Sequence, residues 1–281
     1  AEHKSVECTQ RMTFLGILFD SKQMTMEVTE DRLVEIASEL ELWNNKKRAT
    51  KRQIQSLAGK LQFVAKCCRH GRCFMSRIIG ALKKLKRSTH IIHINKDFQK
   101  DVLWWKFFLP KFHRVSIINA SEWASVDTVI ATDACLEGCG GTFEQEYFRY
   151  TFPAELKDIV NGINQLEAIT VVIALKLWGH LLVGKRFIMK CDNSTTVAVI
   201  NSGRANDSFL QSCAREVAFL ACHHQFEVKV EHLPGVKNIL PDLLSRTAID
   251  SACFKRFLEL TDNGWHEVSV DDNLWRFSCD W

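Results

Sequence analysis

Residues 128–141 read Thr-Val-Ile-Ala-Thr-Asp-Ala-Cys-Leu-Glu-Gly-Cys-Gly-Gly, and they indicate how the second half of the chain folds. Its first part is β-branched and apolar and ends at Asp133, which is typical of a strand. The glycines Gly138, Gly140 and Gly141 allow tight turning or the close approach of another backbone. The stretch therefore predicts a strand that ends on a carboxylate beside a glycine-rich segment.

The sequence downstream continues this pattern with further strands and helices. The expected elements are strands near 143 and over 147–152, a long helix over 163–182, a strand over 186–191, helices over 193–201 and 207–223, a strand over 226–231 and a final helix over 238–246. Their order, β-β-β-α-β-α-α-β-α, predicts an α/β fold, a mixed five-stranded sheet with flanking helices. Residues 247–281 match no predicted element.

The upstream half is predicted to be mainly helical. A β-hairpin is expected over residues 13–28, and Thr29 is expected to cap the helix that follows it. Thr50-Lys51-Arg52-Gln53 has the pattern of a capping box that opens a second helix. Two more helices are expected at 77–86 and 97–108. The predicted organisation is an end hairpin (1–28), a basic helical region (29–95), a connection (96–126), the α/β domain (127–246) and an unassigned extension (247–281).

Composition bounds the class of protein. The chain has 281 residues, 46% hydrophobic and 25% charged, which is ordinary for about two globular domains. The longest apolar run, Ala168–Leu175, is interrupted by Thr170 and falls short of the ~18 residues of a membrane span, so no membrane partner is expected. Eleven cysteines without framework spacing predict reduced thiols and an intracellular protein, in cytoplasm or nucleus. The chain does not begin with Met, and we expect it to be a piece of a longer protein.

Charge is distributed unevenly along the chain. Residues 1–125 carry a net charge of +11 and residues 126–281 a net charge of −7. Between Leu42 and Lys96 there are 15 basic residues and no acid. A solvated basic face would explain this run, but its length favours a surface that contacts phosphates. An acidic second half would repel nucleic acid unless cations were bound there, which is a first indication of a metal site.

Four carboxylates are predicted to meet at one edge of the α/β domain. Asp133 and Asp192 each end a strand, Glu167 lies early in the long helix, and Asp242 lies on the last helix. Any one of them alone is adequately explained as a cap or a surface residue. Together they would repel one another unless hard cations such as Mg²⁺ were bound among them.

These motifs resemble those of a known family. Thr132-Asp133-Ala134, Leu166-Glu167-Ala168, Cys191-Asp192-Asn193-Ser194 and the run from His232-Leu233-Pro234-Gly235 through Asn238 to Asp242-Leu243-Leu244-Ser245-Arg246 are similar to the ribonuclease H domain of retroelement reverse transcriptases. Pro241 stands where that family usually has Ala. Phe14-Leu15-Gly16 and Leu57-Ala58-Gly59-Lys60-Leu61 resemble the end of the palm and the thumb of those enzymes. The Trp104-Trp105 helix is most similar to that of DIRS-type, tyrosine-recombinase retrotransposons.

The resemblance implies a reaction. Asp133, Glu167, Asp192 and Asp242 would hold two Mg²⁺ ions, with Mn²⁺ as an alternative, and the enzyme would hydrolyse the RNA strand of an RNA–DNA hybrid. His232 would assist proton transfer or product departure; the alternative is a strand-end histidine that caps the Pro234–Gly235 turn. The palm and fingers of the polymerase would lie upstream, in the full-length protein.

Substrate contacts are expected from two sets of residues. Near the carboxylates, the resemblance implies contacts to 2′-hydroxyls, sugars or phosphate from Gly138, Gly140, Gly141, Asn164, Thr195 and Thr196. Each of these is equally well explained as a turn glycine or a helix cap. In the basic region, Lys46, Lys47, Arg48, Lys51, Arg52 and Lys60 would grip the duplex.

Other functions stay open on the sequence alone. The chain would instead be a catalytically silent nucleic-acid-binding remnant, or the accessory part of an RNA-directed DNA polymerase, or a DNA-cutting integrase-like enzyme. The presence of all four carboxylates favours catalysis, and the motif from His232 to Asp242 disfavours the integrase-like alternative. Cys67-Cys68-Arg69-His70-Gly71-Arg72-Cys73 fits no standard zinc spacing, so buried thiols are expected there.

Overall fold

The computed structural model describes residues 9–83, 85–112, 115–117 and 129–279. These fall into two compact units, the first unit within residues 1–122 and the second unit within residues 123–281. The predicted start of a strand at Thr128 and most of the predicted connection after residue 112 lie outside the described residues.

The first unit combines helices with two small sheets. Its elements are β1 (Arg11–Phe14), β2 (Ile17–Asp20), β3 (Thr25–Val28), α1 (Glu30–Leu42), β4 (Arg48–Thr50), α2 (Lys51–Val64), α3 (Ser76–Lys83), β5 (Ile91–His93), α4 (Lys96–Phe108) and β6 (Val115–Ile117). One antiparallel sheet has the order β1-β2-β3-β6, and β4 pairs with β5. The capping box is confirmed: the Thr50 hydroxyl accepts from the Gln53 amide, and the Gln53 side chain accepts from the Thr50 amide.

Two local predictions in the first unit need correction. The first strand of the predicted hairpin is broken, because Leu15 (φ 50°) and Gly16 (φ 80°) form a tight turn between β1 and β2. Such positive φ values suit a hairpin turn. Thr29 does precede α1, but its side chain makes no capping bond. Its hydroxyl donates instead to the Gly16 carbonyl (3.4 Å), which ties the helix start to the hairpin turn.

The second unit is a mixed α/β domain. Its elements are β7 (Val129–Ala134), β8 (Gly138–Phe143), β9 (Glu146–Thr151), α5 (Ala154–Ile159), α6 (Ile163–Trp178), β10 (Arg186–Cys191), α7 (Ser194–Ser202), α8 (Ser208–His224), β11 (Glu227–His232), α9 (Ile239–Ser245), α10 (Ser251–Leu260) and β12 (His266–Glu267). The sheet has the order β11-β10-β7-β8-β9-β12, in which β7, β8 and β9 are antiparallel and β10 and β11 run parallel to β7. Five strands lie where the sequence predicts them, and the sixth, β12, was not predicted.

Helix α6 forms the centre of the core of the second unit. Every residue from Gln165 to Leu175 is buried, and the helix packs on β7, β8 and α8. Together with the turn after it, over Ile163–Leu182, it is long and apolar enough to cross a membrane by length and composition. The sequence analysis predicted that no segment reaches this length, and that prediction is wrong. In its most apolar 18-residue window, 78% of the residues are buried inside the protein.

The unassigned extension is folded onto the second unit. Phe257 of α10 packs against Tyr147 and Trp265, and β12 pairs in parallel with β9. Trp275 is 7% exposed within the main core, and Ser278 donates to the buried Glu216 carboxylate of α8 from both its amide and its hydroxyl. The extension is therefore part of the domain.

Candidate metal centre

Two adjacent strands and one helix bring three acids together. Cys191 of β10 is in register with Thr132 of β7, so Asp192 and Asp133, the next residue of each strand, emerge side by side. Glu167 lies in the second turn of α6, and its Oε1 accepts from the amide of Ala134 (3.3 Å). The structure thus places Asp133, Asp192 and Glu167 at the same end of strands β7 and β10.

Helix α9 supplies the fourth acid. It packs on β7 and β8, and the hydroxyl of Ser245 at its last turn lies 2.6 Å from Asp133 Oδ2. Asp242 is one turn earlier on the same helix, and its Oδ1 accepts from Arg246 Nε (2.7 Å). The negative charges of Asp192 and Asp242 both act on Asp133, and those of Asp133 and Asp192 act on Glu167, so the four acids are linked electrostatically through Asp133.

Burial and mutual repulsion keep two of these carboxyl groups protonated at higher pH than usual. Asp133 and Glu167 are 4% and 3% exposed. Loss of solvation, with the charges of Asp192 and Asp242, raises the pKa of Asp133 to about 7, while the Ser245 hydrogen bond opposes this. Loss of solvation, with the charges of Asp133 and Asp192, raises the pKa of Glu167 to about 9. A divalent cation would relieve both effects, and oxygen donors of this kind suit Mg²⁺ and Mn²⁺.

Cys191, for which the sequence predicts no role, also lies at this centre. Ligand atoms of Glu167, Cys191 and Asp192 all lie within 4.8 Å of one another, a group able to hold a metal ion. The Cys191 thiol lies 3.6 Å from Glu167 Oε2, and burial together with the charge of Glu167 raises the pKa of this thiol. Cys191 therefore donates to Glu167 as a neutral thiol.

His232 lies at the exposed end of β11, beside Asp192. Its Nε2 is 3.0 Å from the Asp192 carbonyl oxygen, so its partner is the carboxylate-bearing segment rather than the Pro234–Gly235 turn. That turn also lies close to the centre: a Cβ placed on Gly235 would be 3.2 Å from Asp192 Oδ2. The next segment is anchored by the buried Asn238, whose amide Nδ2 donates to the Thr132 carbonyl (2.9 Å).

The glycine cluster has a different role from the predicted one. Every residue of β8 is buried, which places Gly138, Gly140 and Gly141 away from solvent. A Cβ on Gly140 would lie 2.3 Å from the Cβ of Leu244, and one on Gly141 would lie 2.5 Å from the Phe148 ring. The close approach that the glycines allow is therefore made by α9 and by Phe148, and not by a sugar–phosphate backbone.

The polar residues near the helix starts are partly committed to one another. Asn164 is exposed, and its Oδ1 accepts from Asn193 Nδ2 (2.8 Å). Thr196 is fully buried: its amide donates to Asn193 Oδ1, and its hydroxyl to the Asn164 carbonyl. The phosphate contact predicted for Thr196 is therefore wrong. Thr195 is partly exposed at the start of α7 and stays a candidate.

The basic residues of the first unit divide into exposed and paired groups. Lys47, Arg48 and Arg52 are exposed. Lys60 forms ion pairs with Glu35 (3.0 Å) and Glu39 (2.9 Å) of α1, so its predicted role in binding the duplex is corrected to a structural one.

Two further lysines of the predicted grip also have partners inside the unit. Lys46 Nζ lies 4.6 Å above the Trp43 ring, and Lys51 Nζ donates to the Lys86 carbonyl.

The cysteine-rich segment of the first unit contains no metal group within the described part of the chain. Cys67, Cys68 and Cys73 are buried thiols, and burial raises the pKa of Cys67 to about 11. The predicted burial of these thiols is confirmed.

Comparison with known proteins leaves the family of the chain open. No protein-family model and no curated protein matches it. Among solved structures, it is similar to a foamy viral protease-reverse transcriptase in complex with RNA/DNA hybrid (15% identity, TM-score 0.32, 84% of this chain and 31% of that one). It is also similar to the same kind of enzyme in complex with dsDNA (12% identity, TM-score 0.30, 83% of this chain and 47% of that one). The chain thus spans a third to a half of those proteins, and at these TM-scores the likeness carries no argument.

Proposed function

We propose that this chain is an endoribonuclease that cleaves the RNA strand of RNA–DNA hybrids, as the C-terminal part of a retroelement reverse transcriptase of the DIRS type. One observation carries the proposal: Asp133 and Glu167 are buried with raised pKa values, the charge of Asp192 acts on both of them, and the charge of Asp242 acts on Asp133. Buried charged groups in proteins are normally paired with an opposite charge or coordinate a metal ion. Within the described residues, Arg246 is the basic side chain at this centre, and it is exposed and bound to Asp242.

The residues present fit divalent cations. Asp133, Glu167, Asp192 and Asp242 would hold two Mg²⁺ ions, which when bound would activate a water and stabilise the charge that develops on the phosphodiester and its leaving oxygen. Asp192 and Asp242 are partly exposed and define the side from which substrate has access, whereas Asp133 and Glu167 close the inner side. His232 is exposed beside Asp192, where it could accept or return a proton at the departing product.

The decisive experiment is cleavage of a hybrid labelled on each strand, in the presence of Mg²⁺, Mn²⁺ or EDTA. We expect metal-dependent cutting of the RNA strand that leaves 5′-phosphate and 3′-hydroxyl ends, and its loss in Asp192→Asn. Asp250→Asn is the matched control, because Asp250 caps α10 and asparagine caps helices equally well. Cutting of plain DNA duplex would point to the integrase-like alternative.

A silent nucleic-acid-binding role is the second candidate, supported by the exposed Lys47, Arg48 and Arg52. It predicts salt-sensitive binding of the hybrid with no cleavage under any metal condition. The same result would also follow if the chain were the accessory part of a polymerase, and adding the upstream region to the chain would distinguish the two by restoring activity.

A further inference from the structure

Helix α9 packs directly on the backbone of strand β8, because Gly138 and Gly140 have no side chains to keep the helix at a distance. A Cβ on Gly140 would lie 2.3 Å from the Leu244 Cβ and 3.0 Å from the Ser245 amide nitrogen. A Cβ on Gly138 would lie 3.2 Å from the Ser245 carbonyl oxygen. Real Cβ atoms essentially never approach another atom to 2.3 Å, and contacts of 3.0–3.2 Å are unusually tight, so a larger residue at Gly140 would push the last turn of α9 away from the sheet. The glycines thus set the distance between Ser245 and the sheet.

This seat brings the Ser245 hydroxyl to the central carboxylate. Ser245 Oγ lies 2.6 Å from Asp133 Oδ2 and 2.9 Å from the carbonyl oxygen of Asp242. A serine hydroxyl has one proton, and the shorter contact, to a carboxylate, is the one expected to receive it. Ser245 is 1% exposed, so water does not compete for this bond.

The backbone of Ser245 is fixed as well. Its carbonyl oxygen lies 3.1 Å from the Cys135 thiol, which follows β7 two residues after Asp133. The Cys135 thiol in turn accepts from the Gly138 amide (3.3 Å). The hydroxyl that reaches Asp133 therefore sits on a backbone held to the same β7–β8 turn, and it cannot drift relative to the carboxylate.

We infer that Ser245 is a positioning residue for Asp133, one that holds Oδ2 so that Oδ1 faces the centre as a metal ligand. The inference rests on the proposed function, because it assigns Asp133 to a cation. Within the described residues, Ser245 is the side chain that donates a hydrogen bond to Asp133. Without the Ser245 hydrogen bond, the Asp133 carboxylate would be less well ordered. Binding a cation would then have to order the carboxylate as well, which lowers the affinity.

The test compares Ser245→Ala with Thr247→Ala. The Thr247 hydroxyl also lies at the end of α9 and bonds only to a backbone carbonyl, that of Leu244 (2.9 Å), so its loss reports a general effect on the helix end. Binding of Mn²⁺ is measured by the electron paramagnetic resonance signal of the free ion, and hybrid cleavage by kcat and KM across a Mg²⁺ series. Thermal unfolding of each variant checks the fold.

We expect Ser245→Ala to bind Mn²⁺ roughly ten- to a hundred-fold more weakly, the loss of one hydrogen bond to a charged group. Its kcat should fall at limiting Mg²⁺ and recover at high Mg²⁺, with KM for the hybrid unchanged. Ser245→Thr, which keeps the hydroxyl, should restore the affinity, and Thr247→Ala should bind Mn²⁺ like the wild type.

The outcomes separate this inference from the proposed function. Equal Mn²⁺ affinity in Ser245→Ala and wild type, or an equal loss in Thr247→Ala, would overturn the positioning role alone. A wild type that binds Mn²⁺ in a Ser245-dependent way but cuts no hybrid would overturn the nuclease and leave the positioning role standing. A wild type that binds no Mn²⁺ would overturn both.

Discussion

At the scale of single residues, the centre stores unfavourable electrostatic energy. Asp133 and Glu167 are buried among acids, and their pKa values are raised to about 7 and about 9. In the unfolded chain the same groups titrate near 3.8 and 4.5. Between these values the two groups bind more protons in the folded protein than in the unfolded chain, so their contribution to stability is most favourable at low pH and falls as the pH rises through this window.

We therefore predict that the metal-free protein loses stability between pH 5 and pH 9. One pKa unit corresponds to about 1.4 kcal/mol, so the two shifts together predict a loss of several kcal/mol from this centre, with an upper limit on the order of 10 kcal/mol. Thermal unfolding in EDTA across this pH range measures it. Glu167→Gln, which cannot ionise, should flatten the pH dependence, whereas Asp250→Asn should leave it unchanged. Added Mg²⁺ should restore stability at the alkaline end, and an identical pH profile in Glu167→Gln would contradict the assignment.

At the scale of elements, two glycines differ in whether their surroundings leave room for a side chain. Gly140 lies in β8 beneath α9, where a Cβ would overlap Leu244. Gly59 is exposed in the middle of α2, with no atom near its Cβ position. Sequence alone gives the two glycines the same freedom, and only the packing above β8 separates them.

We predict that Gly140→Ala destabilises the protein by about 1–3 kcal/mol, or more if α9 cannot shift, because it overpacks a rigid contact. Gly59→Ala should instead stabilise it by about 0.5–1 kcal/mol, since alanine favours the helix. Denaturant unfolding of both variants, with hybrid cleavage as a second measurement, gives the comparison. A neutral Gly140→Ala would show that α9 is not seated on β8 as described.

The C-terminal extension is also an element with a defined role. Ser278 donates to Glu216 from its amide and its hydroxyl, and Lys176 forms an ion pair with the same carboxylate (2.9 Å). Glu216 is 0% exposed, so its polar atoms need partners inside the protein, and Ser278 and Lys176 are two of them.

We predict that Ser278→Ala lowers the free energy of unfolding by about 1.5–3 kcal/mol, the range for a hydrogen bond to a buried charge. Ser212→Ala, on the same helix α8, is the matched control: its hydroxyl bonds an exposed backbone carbonyl, that of Ser208, and its loss should change little. Both are measured by denaturant unfolding, and equal effects would argue against a structural role for the extension.

At the scale of the whole molecule, the acid-free run from Leu42 to Lys96 presents less unpaired positive charge to solvent than its sequence suggests. Acids from α1 and α4 reach into it: Glu39 pairs with Lys60, and Asp101 with Arg77 (3.3 Å). What remains exposed near the start of α2 is Lys47, Arg48 and Arg52.

We predict that replacing Lys47, Arg48 and Arg52 together by glutamine weakens hybrid binding and lowers the slope of log K against log [salt] by about 2–3, close to 0.9 for each phosphate that is no longer neutralised. Fluorescence anisotropy over a salt series measures the slope. Lys60→Gln should lower the thermal stability and leave the slope unchanged, because its charge is used within the protein. A smaller slope in Lys60→Gln would reverse this assignment.

The local features of this protein follow from short-range patterns in its sequence. Alternating and helical periodicity predicted five strands and most helices, and the Thr50–Gln53 capping box was read correctly. Asp133 and Asp192 lie near each other because β7 and β10 are neighbouring parallel strands, which end at the same edge of the sheet. These features depend on residues close in sequence, or on a topology that the order of elements already constrains.

The partner that each side chain contacts is set by the packing of elements that are distant in sequence. Thr196 is buried against Asn164, Lys60 pairs with α1, and the β8 glycines lie under α9. The role of Ser245 depends on a contact across more than a hundred residues. Such contacts are set by how elements pack, and packing places a residue beside neighbours that no local pattern encodes.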